Sequence, residues 1–129
     1  MRLLLDTHIF LWYISGDGQL SDATRNAISD PENDVYLSVI SVWESLIEYQ
    51  IGKLPLPQSP EQYLSEQRKR HLISSLPLDE GSVANLITLP SIHRDPFDRM
   101  LICQAMEHNL TIVTVDQTIC DYTNNILRV

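Results

Sequence analysis

The chain has 129 residues, 43% of them hydrophobic and 20% charged, which is one domain's worth of material with enough apolar content for a packed core. Its 17 acidic and 9 basic residues give a formal net charge of −8, which excludes a passive basic coat for nucleic acid but not an enzyme whose acidic site is filled by metal. No apolar run approaches the roughly 20 residues that span a bilayer, and Asp6 arrives too early for a signal peptide, so a cytoplasmic protein with no membrane association is expected.

Short apolar runs alternate with helical stretches, the pattern of an α/β domain on a parallel sheet. Leu3-Leu4-Leu5 reads as a central strand buried on both faces, and Ile9–Ile14 opens the helix after it. Ser21 caps a second helix reaching about Ser29, and Pro31, Asn33 and Asp34 form a turn. Val35-Tyr36-Leu37 is the second strand. Val39 to Ile51 is a helix stopped by Gly52. Pro55, Pro57 and Pro60 make an irregular connection to a polar helix, Glu61–Arg70. A weak strand over Leu72–Leu76 and a short helix over Asp79–Ile87 follow, then a helix over Pro96–His108. Thr111–Val115 is the clearest β-branched strand, and Ile126–Val129 closes an edge. Cys103 and Cys120 fit neither a disulfide framework nor a metal knuckle and read as small buried hydrophobes.

Four carboxylates stand out. Asp6 and Asp116 each follow a strand directly, and ligand sites in open α/β sheets lie beyond the carboxyl ends of strands. A helix N-cap explains either residue alone equally simply. Glu44 shares a helical stripe with Ile40, Ile47 and Ile51, so it points with the apolar face, whereas Ser41, Ser45 and Glu48 group on the polar face. A buried carboxylate needs a partner, a proton or a metal. Asp95 precedes Pro96 and reads as an N-cap. Asp98 falls in the first turn, on a stripe with Ile102 and Ala105, and should face inward, although the helix dipole alone would also favour an acid there. If these acids converge at one sheet edge, their mutual repulsion calls for a hard divalent cation, Mg²⁺ or Mn²⁺. Such a site suits phosphodiester cleavage.

At these residues the sequence resembles the PIN-domain family, specifically VapC-like toxins of bacterial type II toxin–antitoxin pairs. The stretches that carry the resemblance are LLLDTHIFLW (3–12), SVISVWESLIEYQIGKLPL (38–56), LPSIHRDPFDRMLICQA (89–105) and TIVTVD (111–116). The resemblance implies a single domain over residues 1–129, a three-layer α/β/α fold with a central parallel sheet, and a Mg²⁺-dependent endoribonuclease. Its acidic site falls on Asp6, Glu44, Asp98 and Asp116. Asp6 and Asp98 are then the principal metal ligands, with Glu44 and Asp116 acting directly or through water and Asp95 an alternative within the same motif. The resemblance also implies a homodimer silenced by a cognate antitoxin. Glu48 and Tyr49 stand where many relatives carry a lysine.

Around that centre, Thr114 is positioned either to hydrogen-bond into the site or merely to fill its strand, and Ser38 reads as a helix cap. Arg94 and Arg99 bracket the Asp95–Asp98 motif as candidate RNA-phosphate contacts. The basic run Arg68, Lys69, Arg70 and His71 reads mainly as a solvated helix end. Neither His8 nor His93 has a ligand-type partner spacing. Trp12, Trp43 and Phe10 read as core or dimer-contact residues rather than base-stacking platforms. Three other readings compete. A metal-dependent phosphotransfer domain lacks its second aspartate, because His8 stands there. A catalytically silent PIN-fold binding module would not need all four acids, and a DNA-directed nuclease would use the same acids and metal.

Overall fold

The structure is a computed structural model that describes residues 1–90, 95–122 and 126–128. Five strands form one all-parallel sheet: β1 (Arg2–Leu5), β2 (Asp34–Ser38), β3 (Ser74–Leu76), β4 (Thr111–Thr114) and β5 (Ile126–Arg128). Their order is β3-β2-β1-β4-β5. The chain therefore winds outward from β1 on one side, returns, and winds outward through β4 on the other. The switch point of the topology lies between β1 and β4.

Alternating side chains of each strand feed two separate cores. Leu3, Leu5, Val35, Leu37 and Val113 pack on one face with Ile9, Phe10, Ile28 and Leu64 from the helices α1 (Thr7–Ser15), α2 (Asp22–Ser29) and α4 (Pro60–Arg70). Leu4 and Ile112 pack on the other with Leu101, Ile102 and Ala105 of α6 (Pro96–His108) and Ile119 of α7 (Gln117–Cys120). Between β2 and α4 lies α3 (Val39–Gln50), and α5 (Glu80–Ala84) with a 3₁₀ turn (Asn85–Ile87) precedes α6. This is the three-layer α/β/α arrangement expected of the sequence. The described helices are too short and too polar for any of them to cross a membrane.

Local chemistry sets most boundaries. Ser21 Oγ accepts from Thr24 N at 3.2 Å and starts α2, while Ser38 Oγ accepts from Ile40 N at 3.0 Å and starts α3. Gly52, at φ +79°, follows the end of α3 in the left-handed region. Several expectations shift. Pro60 does not belong to the irregular connection but opens α4, where its missing N–H has no intrahelical partner to lose. The strand expected from Leu72 begins only at Ser74, because Leu72 takes φ +58° and is 89% exposed. The strand expected to reach Val115 ends at Thr114. The helix Gln117–Cys120 was not expected from the sequence. Cys103 is buried as expected, but Cys120 is only half-buried.

The largest correction concerns α3. Ile40, Ser41 and Ser45 are its buried residues, while Val39, Trp43 and Ile51 are exposed. The serines assigned to the polar face therefore point inward, and Trp43, 56% exposed, is not a core residue. Trp43 meets the ring of Phe97 edge-on, with centroids 5.0 Å apart.

Candidate active site

The carboxyl edge of a parallel sheet collects the residues that follow each strand and the N-termini of the helices that lead into the next one. Asp6 follows β1 and Asp116 lies two residues beyond β4, so the two flank the switch point. Glu44 sits in the second turn of α3, after β2. Asp95 and Asp98 open α6, which runs back toward the start of β4.

Asp6 is buried, at 9% exposure. Its Oδ1 accepts from Thr7 N at 2.8 Å and its Oδ2 accepts from the Thr114 hydroxyl at 2.8 Å. The same hydroxyl oxygen accepts from Asp116 N at 2.9 Å, so one threonine joins both strand-end acids. Asp116 Oδ1 accepts from Thr118 N at 2.8 Å. The N-cap reading of Asp6 and Asp116 is thus true of both, and it accompanies their placement at the cleft rather than replacing it. Burial pushes the Asp6 carboxyl above its ordinary pKa. The bonds from Thr114 and Thr7 and the nearby His8 pull it down, and the Asp116 charge adds to the rise.

Glu44 is half-buried. Its pKa is raised first by burial and then by the charges of Asp95, Glu48 and Asp6, while Thr7 opposes the rise. Thr7 is itself buried, and its hydroxyl donates to Ser41 Oγ at 2.9 Å. Asp98 is buried at 8% on the stripe with Ile102 and Ala105, as its spacing predicts. Asp95 caps α6 by accepting from Phe97 N at 2.9 Å and Asp98 N at 3.5 Å. The Asp95 charge is among those that raise Glu44, so the cap residue lies within electrostatic reach of the acidic site.

Among the described residues, no three Asp, Glu, His or Cys side chains stand close enough to hold one ion between them. The donor chemistry still fits a hard cation. The groups are carboxylates, Asp6 carries a charge that burial and Asp116 both disfavour, and its carboxylate, with about four lone-pair sites, accepts two hydrogen bonds with capacity to spare.

Of the supporting residues, Arg99 Nη1 donates to Pro90 O at 3.0 Å and to the Tyr122 hydroxyl at 3.4 Å. Arg94 and His93 lie outside the described residues. His8, set aside in the sequence, is exposed and within electrostatic reach of Asp6. Arg68 is not simply solvated, since its guanidinium donates to Ile73 O at 2.9 Å. Sequence reasoning missed Thr7 and Ser41. The pairing of an acid with a threonine at the strand end was the available signal for Thr7. Gln104 was missed too: it is fully buried, accepts from the Ser38 hydroxyl at 2.5 Å and donates to Pro77 O at 3.2 Å.

The chain resembles Ribonuclease VapC22 of Mycobacterium tuberculosis at 29% identity over 119 residues, covering 89% of this chain and 87% of that protein. It resembles Ribonuclease VapC16 of the same organism at 36% identity over 62 residues, 48% of this chain and 44% of that protein, so less than half of that relative's length is matched. Among solved structures, a chain of VapBC2 from Rickettsia felis, bound to a DNA fragment from its promoter, superposes with a TM-score of 0.70 at 16% identity, covering 100% of this chain and 98% of that one. The PIN domain family itself matches residues 3–125, a span that holds both strand-end aspartates, Glu44 and the start of α6, and the chain belongs to that family.

Proposed function

We propose that this chain is a single-domain, Mg²⁺-dependent endoribonuclease, with Mn²⁺ as an alternative ion. It acts in the cytoplasm as the toxin of a type II toxin–antitoxin pair, works as a homodimer and is silenced by its cognate antitoxin. The observation that carries this reading is the buried Asp6 at the sheet's switch point, tied through Thr114 to Asp116. Family membership and the relatives named ribonuclease support it.

In this reading Asp6 and Asp98 hold the ion directly. Glu44 and Asp116 hold it directly or through water, and Asp95, the cap of α6, is the alternative to Asp98 within the same motif. A bound divalent ion supplies an acidified water and neutralises phosphate charge. The chain's own groups do the positioning. Thr114 fixes the Asp6 carboxylate, Glu44 with its raised pKa orients the attacking water, and Arg99 and Arg94 contact phosphate.

The test is cleavage of RNA by purified protein with Mg²⁺, with chelator, and with the Asp6→Asn and Asp98→Asn variants. Each variant should lose at least about a hundredfold in rate while keeping its fold. Metal-dependent cleavage retained by both variants would refute the assignment. Neither stabilisation nor cleavage with Mg²⁺ or Mn²⁺ would favour a catalytically silent binding module.

A further inference from the structure

A cavity of about 340 Å³ opens between α1 and the 53–57 loop. Its volume falls in the range of ligand-sized pockets. Most of its wall is apolar or aromatic. Trp12 and His8 stand edge to face with centroids 6.4 Å apart, and Tyr63 approaches from α4. The polar groups besides His8 are few: Glu48, Asp17 and Ser15 on the wall and Lys53 on the loop. Trp12, expected in the core or at a dimer contact, is half-buried against the core and also lines this space. Glu48, expected on a solvated face, is half-buried here as well.

The cavity neighbours the candidate active site along α1 and α3: His8 stands two residues beyond Asp6, and Glu48 one helical turn beyond Glu44. His8 lies within electrostatic reach of Asp6, and Glu48 acts on Glu44 in the same way. A polynucleotide whose phosphate lies at the acids therefore has this cavity as its immediate neighbour.

The lining selects among occupants. Flat aromatic walls suit a nucleobase, whose faces stack without regard to sequence. An aliphatic side chain of a peptide would desolvate Glu48 without supplying it a donor and leave Asp17 with the bond from Gln19 N alone, at a cost. The same carboxylates repel phosphate, so a nucleotide enters base first and leaves its backbone at the mouth, where Lys53 is exposed. Of the four RNA bases, guanine presents adjacent N1–H and N2–H donors on one edge, which a carboxylate accepts together.

We propose that this cavity is a base-recognition subsite that takes a guanine next to the scissile phosphate, its face on Trp12 and its Watson–Crick edge on Glu48. The place of this subsite in a reaction rests on the ribonuclease reading, but the binding event does not, and the two are tested apart. The chain has two tryptophans, so Trp43→Phe leaves Trp12 as the sole tryptophan reporter. Titration of this variant with 5′-GMP should quench its fluorescence, with affinity about tenfold higher than for 5′-IMP, which lacks the 2-amino group. AMP, CMP and UMP should bind more weakly still. Adding Glu48→Gln should bring GMP down to the level of IMP. Lys53→Ala, an exposed change, should weaken GMP but not guanosine. In cleavage assays, inosine in place of the guanine flanking the cut should lower kcat/KM about tenfold for the native protein and not for Glu48→Gln.

Equal quenching by all nucleotides, or none, would overturn the proposal, as would cleavage indifferent to inosine. Displacement of the effect onto an antitoxin-derived peptide, with GMP inert, would overturn it too. RNA cleavage without base dependence defeats the subsite and leaves the nuclease. Guanine-selective quenching with no cleavage of any RNA defeats the nuclease and leaves the subsite.

Discussion

Thr114 is a small residue with two obligations. Its hydroxyl donates to Asp6 and accepts from Asp116 N, so replacing it unsettles both strand-end acids at once. Thr114→Val should lower RNA cleavage about 10- to 100-fold, the usual cost of removing a group that orients a ligand, and Thr114→Ser should restore most of it. Asp6 carries the opposite tension. Its folded-state pKa lies above the ordinary 3.8, so the native protein holds this proton more tightly than the unfolded chain. Stability from this group is complete below 3.8 and is lost as pH rises through the folded-state value. Metal-free Asp6→Asn should therefore melt higher than the native protein at neutral pH, and the difference should vanish in acid; thermal melts across pH in the presence of chelator measure it. The positions of Asp6, Asp98 and Asp116 were legible because strand-end and first-turn signals are local. Thr7 and Ser41 were not, because the partner of a hydroxyl depends on how two helices face each other.

The rotation of α3 shows where periodicity stops informing. Ile40, Glu44, Ile47 and Ile51 form a regular stripe, yet the helix buries Ile40, Ser41 and Ser45 instead. The short serines allow close approach to α1, where Thr7 bonds Ser41, and Ser45 Oγ donates back to Ser41 O at 2.8 Å. The apolar stripe is left to the flank, where Trp43 meets Phe97. A substitution that follows the stripe rule should thus fail. Ser45→Leu should destabilise the fold by about 1–3 kcal/mol through overpacking, and Trp43→Ala should cost less; urea denaturation compares them. By contrast, Pro96–His108 was legible over its full length, because Asp95, Pro96 and the inward stripe of Asp98, Ile102 and Ala105 all agree. The four residues of α7 are too short to carry a period.

At the scale of the molecule, the layers were legible from alternating runs, but strand order was not, because pairing between β1 and β4 is decided by packing across the whole chain. That pairing brings Asp6 and Asp116 to the same edge. Charges gathered in this way oppose folding until a cation joins them, so binding and stability should move together. Mg²⁺ at a hundredfold excess over its dissociation constant should stabilise the native protein by about 2.7 kcal/mol. Asp6→Asn should show little of that gain, and chelator should reverse it; calorimetry or thermal melts provide the measurement.

The bond from Thr114 to Asp6 spans 108 positions of sequence. During translation β1 leaves the ribosome long before its neighbour β4 exists, and Asp6 has no threonine to hold it until Thr114 has been made. Hydrolytic competence under the proposed activity must then wait for β4. A messenger being read to make this chain would be spared by its own unfinished product, and a prematurely terminated fragment would be inert.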